Sequence, residues 1–125
     1  MLPPRLEQDI ATLRGAGWTL DVSEEPAFVS VVVHAVPTGP GFTPPTTDVL
    51  LRIPRAYPDA APDMFWTAED VRLVSGVPPK GAEALESYLG RRWRRFSWHR
   101  QRPWKPGADW LGSHLEFARQ RLCMP

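Results

Sequence analysis

Nine residues, Phe28-Val29-Ser30-Val31-Val32-Val33-His34-Ala35-Val36, constrain the fold of this 125-residue chain more than any other stretch. Five of the nine are valine, and β-branched side chains lose little when laid on a pleated surface but crowd the preceding turn of a helix. Apolar residues fall on both alternating sets, which predicts a strand buried on both faces and central in its sheet. The segment that follows, Pro37 to Pro45, holds prolines that cannot donate to a ladder and glycines that cost order, so it is predicted to be a loop.

Around that strand the other elements fall into place by periodicity. Leu2, Leu6, Ile10 and Leu13 recur at helical spacing after Pro3 and Pro4, which suit a first turn, and Gly15 and Gly17 stop the helix. Trp18, Leu20 and Val22 alternate as in a half-buried strand, and Ser23-Glu24-Glu25-Pro26 turns it. Asp48 to Ile53 is a third strand ended by Pro54, and Met64-Phe65-Trp66 a brief fourth. Val71 to Gly81 reads as irregular, and Gly81 to Gly90 as a weak helical turn around Leu85 and Leu89. Asp109 is placed to cap a final helix whose Leu111, Leu115, Ala118 and Leu122 form one stripe. A helix, a four-stranded antiparallel meander, a connecting segment and a closing helix make an α+β sandwich.

Length and composition bound the class. At 125 residues, with 42% hydrophobic and 23% charged residues, the chain reads as one domain, 1–125, able to bury a single core. Fifteen prolines predict short elements and many turns. A net charge of +1 argues against a surface built wholly for nucleic acid or anionic lipid. One cysteine, Cys123, precludes an internal disulfide and a cysteine-based zinc site, which fits a reducing compartment, and the cytoplasm is the expectation. No secretory leader, apolar span or internal repeat is legible. The histidines His34, His99 and His114 have no metal-ligand spacing, and no cofactor is expected. His34 and His114 read as ordinary packing or surface residues.

Charge is concentrated rather than abundant. Seven of the fifteen Lys and Arg lie between Arg91 and Lys105, and four of the six Trp between Trp93 and Trp110. The run Trp93-Arg94-Arg95-Phe96-Ser97-Trp98-His99, followed by Trp104-Lys105-Pro106-Gly107-Ala108-Asp109, mixes aromatics, cations, a hydroxyl and an imidazole, a combination that a core alone rarely needs.

Three blocks together resemble the ubiquitin-conjugating-enzyme superfamily, and within it the prokaryotic group labelled family E. Asp48-Val49-Leu50-Leu51-Arg52-Ile53-Pro54 with Tyr57-Pro58 and Pro62 is similar to the superfamily's third strand and its Tyr-Pro-x-x-x-Pro turn. Pro62-Asp63-Met64-Phe65-Trp66-Thr67 resembles an Asp-Met-Phe-aromatic-Thr run of the bacterial group. The Trp93–His99 and Trp104–Asp109 stretches resemble its Trp-x-Arg-Trp-Ser-Arg-His and Trp-x-Pro-Gly-x-Asp blocks. Phe96 and Trp98 depart from that pattern, as does Pro40-Gly41-Phe42 in the loop, and two C-terminal helices usual in the superfamily are missing. The resemblance implies a carrier that takes a ubiquitin-like protein from an adenylating activating enzyme, in a pathway that includes a JAB-type metalloprotease, with the first helix docking the activating enzyme.

The superfamily's cysteine stands one short extended segment before a Trp-x-Pro, which Trp104-Lys105-Pro106 marks here, yet no cysteine lies upstream. Counting back from Trp104 reaches Phe96 or Ser97. Serine needs a base, and a histidine two residues along an extended segment points to the same side. Ser97 is therefore the candidate for an oxyester with the modifier's carboxyl, and His99 for its base or oxyanion donor. The other reading is that Ser97 bonds only to backbone and His99 orders the loop. Cys123 is a rival nucleophile but sits at the end of the final helix. Arg94, Arg95 and His99 are candidates to hold the modifier's anionic end, with Trp98, Trp104 and Asp109 around them. Asp63 reads as the anchor of its turn, and Tyr57 and Trp66 as core beneath the segment. The alternatives are a non-catalytic adaptor of the same fold, a docking face for an acidic partner, and a nucleic-acid-binding module in which the arginines between Arg91 and Arg102 neutralise phosphates while Trp93 and Trp98 stack on bases.

Overall fold

The computed structural model describes residues 1–125. Helix α1 spans Pro4–Gly15 and helix α2 Leu111–Arg121, and between them lie eight strands: β1 (Leu20–Glu24), β2 (Phe28–Pro37), β3 (Phe42–Thr43), β4 (Thr46–Pro54), β5 (Phe65–Ala68), β6 (Arg72–Leu73), β7 (Leu85–Tyr88) and β8 (Arg91–Phe96). Six of them form one antiparallel sheet in the order β1-β2-β4-β5-β8-β7, and β3 pairs with β6 apart from it. No helix is long and apolar enough to cross a membrane.

The four expected strands do lie side by side as a meander, but the sheet has six. One additional strand, β7, comes from the Gly81–Gly90 stretch read as a helical turn, and the other, β8, from the arginine-rich run that follows it. Leu85 and Leu89 are spaced as on a helix, yet both are exposed and have no apolar stripe to bury. Leu89 and Gly90 instead take φ of 55° and 75°, the two left-handed residues of a primed hairpin turn. The Trp93 indole N–H closes that turn by donating to the Tyr88 carbonyl at 3.0 Å.

Both helices cover one face of the sheet. Leu6, Ile10 and Leu13 of α1 and Leu111, Leu115, Ala118 and Leu122 beside or within α2 pack on Val31, Val33, Val49, Leu51, Phe65 and Phe96. Each fully buried aliphatic side chain contributes about 1.5–3 kcal/mol, so this layer dominates the stability. The opposite face carries a smaller cluster of Val32, Leu50, Trp66 and Trp93. Both faces of β2 are thus buried, as its valines predict, whereas Trp66 lies on the far side of the sheet from the main core that holds Tyr57. On that far side the Arg52 guanidinium sits 4.4 Å from the Phe28 ring and 4.2 Å from the Tyr88 ring.

A bulge between Val33 and Val36 breaks the β2–β4 register, with Ala35 at φ 55°, so His34 and Ala35 together oppose one residue. His34 is not an idle surface residue there. Its Nδ1 meets Asp48 Oδ1 at 2.9 Å and its Nε2 meets Asp21 Oδ2 at 2.7 Å, and Arg91 Nη1 donates to Asp48 Oδ2 at 3.1 Å. Asp21 first and Asp48 second raise the imidazole's pKa above its ordinary value. A group raised in the folded state stabilises fully below its unfolded pKa of about 6.5 and loses that contribution as pH rises through the folded value. Urea unfolding of the wild type should therefore weaken from about pH 6.5 upward, while His34→Gln shows a flatter profile over the same window. Parallel profiles would exclude His34 as the source.

Candidate functional site

Strand β8 ends where Phe96 stacks on Phe65, ring centroids 4.7 Å apart. The chain then leaves the sheet abruptly. Ser97 N donates to the Gly81 carbonyl at 2.9 Å, and Trp98 N donates to the Phe96 carbonyl at 2.9 Å, a three-residue turn centred on Ser97. That turn interrupts the extended run on which a shared side for Ser97 and His99 rested. No hydrogen bond joins the two side chains; each has another partner.

Ser97 Oγ accepts from Arg95 Nε at 3.0 Å. Arg95 is itself pinned, since its Nη1 donates to Glu86 Oε2 at 2.8 Å, and Glu86 Oε1 accepts from the Trp66 indole at 2.8 Å and the Tyr88 hydroxyl at 3.2 Å. A guanidinium held against a hydroxyl oxygen favours the ionised form of that hydroxyl. His99 Nδ1 lies 2.9 Å from Asp63 Oδ1 and 3.1 Å from Oδ2. A carboxylate only accepts, so Nδ1 carries the proton and the neutral ring keeps its lone pair on Nε2, the nitrogen a base uses. Asp63, read from the sequence as a turn anchor, orients the histidine.

The remaining residues of the segment hold it in place. Trp104 Nε1 donates to the Pro58 carbonyl at 2.8 Å, fastening the segment to the Tyr57-Pro58 turn. Trp98 packs against the main core with the Arg121 guanidinium 4.6 Å above its ring, and Arg121 donates to the Lys80 carbonyl at 2.9 Å. Asp109 does not cap α2. Its carboxylate takes both Arg102 Nη atoms, at 2.9 and 2.7 Å, and the Lys105 N–H at 2.8 Å, and Arg102 first, Lys105 second, hold its pKa down to about 2. The cap comes from elsewhere: Asp9 of α1 accepts from the Leu111 N–H at 3.4 Å. No local signal pointed to Asp9, which lies 102 residues away.

Between the segment and α2 runs a cleft of about 750 Å³, with Trp98, His99 and Gln101 on one wall and Ser113, Phe117 and Gln120 on the other. Met124 also lines it, whereas the exposed Cys123 packs beside Gly39 and is not part of the lining. The arginines from Arg91 to Arg102, of which Arg100 and Arg102 line the cleft, are committed. Arg91 pairs with Asp48, Arg92 with Glu69, Arg95 with Glu86 and Arg102 with Asp109. Arg94 donates to the carbonyls of Ala82 and Glu69, and Arg100 to that of Pro62. Four of these six cations are thus paired with carboxylates of the chain itself, which reduces the charge the stretch presents to a phosphate.

Two helices on one face of an antiparallel sheet, with a Trp-Lys-Pro-anchored segment running from the sheet past the second helix, define a ubiquitin-conjugating-like domain. The chain belongs to prokaryotic E2 family E, whose sequence model matches residues 5–124. No curated protein and no solved structure matches it. Membership supports a ubiquitin-conjugating-like role and implies dealings with ubiquitin-like proteins and activating enzymes in general.

Proposed function

We propose that this protein accepts a ubiquitin-like protein from an adenylating activating enzyme and carries it as an oxyester on Ser97. The observation that carries the reading is the Arg95 Nε to Ser97 Oγ contact of 3.0 Å, which places a fixed positive charge on the one hydroxyl of the segment. Ser97 Oγ attacks the activated C-terminal carbonyl of the modifier; the new C–O bond forms as the bond to the activating enzyme's leaving group breaks. The Oγ proton reaches His99, whose Nε2 is left free by Asp63, through an intervening water, since no direct hydrogen bond joins the two side chains. Arg95, bonded to Oγ, favours the ionised hydroxyl that attacks. The cleft suits an extended tail, because its lining includes the Gln101 and Gln120 amides while its arginines, Arg100 and Arg102, are engaged within the chain. A JAB-type protease in the same pathway would remove the modifier from its targets.

Intact-mass spectrometry after incubation with ATP, the activating enzyme and its ubiquitin-like protein should show one modifier added with loss of water, removed by mild hydroxide. A charged activating enzyme with no adduct on this protein would refute the carrier. The separation of Ser97 from His99, with no hydrogen bond between them, favours the second reading, a non-catalytic adaptor. Binding of the modifier without any covalent adduct is its signature.

A further inference from the structure

The Asp63–His99 pair is exposed, with side-chain accessibilities of 56% for Asp63 and 62% for His99. An ion pair so open to water is worth roughly 0–1 kcal/mol and cannot hold its own geometry. Something else must place Asp63, and the backbone on either side of it is tied down. On one flank, Arg100 Nη2 donates to the Pro62 carbonyl at 2.8 Å. On the other, His114 of α2 donates through Nε2 to the Met64 carbonyl at 2.8 Å. Met64 has φ 57°, a left-handed conformation that costs a non-glycine residue roughly 1–2 kcal/mol and persists only where the surroundings impose it.

The two ties are one unit. Arg100 Nη2 also meets His114 Nδ1 at 2.5 Å. Arginine only donates, so Nδ1 is the acceptor, and the proton on Nε2 serves Met64. His114 is fully buried, and burial first, the Arg100 charge second, hold its pKa down to about 3, which keeps Nδ1 free to accept at neutral pH. Arg100 is kept in place by the Trp104 ring at 4.9 Å and the Phe117 ring at 5.4 Å.

We infer that Arg100 and His114 are positioning residues that clamp the backbone on both sides of Asp63 and so select the Nδ1–H tautomer of His99. The consequence for catalysis rests on the reading of His99 as the base for Ser97; the clamp itself does not.

Long-range ¹⁵N–¹H correlation of the histidine rings tests this directly, since the chain has only three histidines and His34→Gln assigns one. At mildly alkaline pH the wild type should show His99 protonated on Nδ1 and His114 on Nε2. Asp63→Ala, which removes the acceptor, defines the spectrum of an unpaired His99, in which the Nδ1–H signature is lost. Arg100→Met keeps the aliphatic contacts and should give that same loss, as should His114→Leu. His114→Gln should retain the signature, because its amide offers an oxygen to Arg100 and an N–H to Met64. A folded Arg100→Met protein with the wild-type His99 signature overturns the inference, and that variant decides the matter if His114→Leu does not fold. The readout involves neither ATP nor modifier, so it stands or falls independently of the Ser97 carrier. Where the carrier does form, loss of the tautomer should slow adduct formation about 10²-fold or more, within the range ascribed to general-base catalysis.

Discussion

Ser97→Ala should abolish uptake of the ubiquitin-like protein, and Ser97→Cys should restore it as a thioester. The alanine protein remains folded, because the structural bond at this position is made by the Ser97 backbone N–H to Gly81, while its side chain only accepts from Arg95. Changes of that kind move stability by about 0.5 kcal/mol or less, so a loss of uptake reports chemistry. A thiol with a pKa near 8.5 is a few per cent ionised at neutral pH without help, so the cysteine variant depends less on His99 and Arg95 than serine does. Its adduct should be cleaved by added thiol, whereas the wild-type adduct resists thiol and yields to hydroxide. Arg95→Gln should slow the serine reaction by about tenfold or more, since a neighbouring opposite charge favours an ionised hydroxyl by about 1–3 pKa units. Uptake that survives Ser97→Ala and disappears with Cys123→Ala would move the carrier to the end of α2.

Asp9→Ala is expected to be the most damaging polar substitution for the fold. Asp9 is 3% exposed and accepts from three elements: Arg5 Nε of its own helix at 2.8 Å, the Tyr57 hydroxyl, and the Leu111 N–H at the start of α2. Burial and the Asp9 carboxylate raise the Tyr57 hydroxyl's pKa, so that hydroxyl stays protonated and needs its acceptor. Removing Asp9 orphans a buried hydroxyl, at about 1–3 kcal/mol, and uncaps α2, at about 1 kcal/mol. The sum, about 2–4 kcal/mol, corresponds to a fall in Tm of about 10 °C for a chain of this size. Tyr57→Phe should cost only about 1 kcal/mol. The double variant should be less destabilised than the two singles added, because they share one contact. Melting of Asp9→Ala at the wild-type temperature would dispose of this account.

The arginine-rich stretch illustrates why composition alone misleads about partners. Six arginines between Arg91 and Arg102 read as a ready surface for phosphates, yet each already has an acceptor within the chain. Arg91, Arg92, Arg94 and Arg100 tie the hairpin and the following segment to the rest of the chain, while Arg95 braces the hairpin and Arg102 the segment internally. Most of the acceptors come from β4, the loop after β5, the Ala82 turn, β7 and the turn before Met64; only Asp109, the partner of Arg102, lies in the same segment.

Elements whose partners were implied by their own periodicity were legible. The spacing of Leu6, Ile10 and Leu13 sufficed for α1, the valines of β2 for a strand buried on both sides, and Leu111, Leu115, Ala118 and Leu122 for the closing helix. The β7–β8 hairpin was not, because Leu85 and Leu89 repeat at a helical interval while the decisive feature, two left-handed residues at Leu89 and Gly90, is a property of the turn once the strands pair. Asp109 was misassigned as a cap for a related reason. Its residue type and place before α2 fit the role, but Arg102 and Lys105 compete for the carboxylate only after the loop has closed.

The sequence by itself determined the α+β class, the two amphipathic helices, the family and the residue types at the site, because these depend on periodicity and on motifs read within short windows. Only the tertiary structure decided that Arg95 faces Ser97, that Asp63 orients His99 from 36 residues away, that Arg100 and His114 flank Asp63, and that Asp9 caps a helix at the other end of the chain. Those contacts join segments far apart in sequence, and which donor meets which acceptor is set by strand order and helix packing rather than by any local preference.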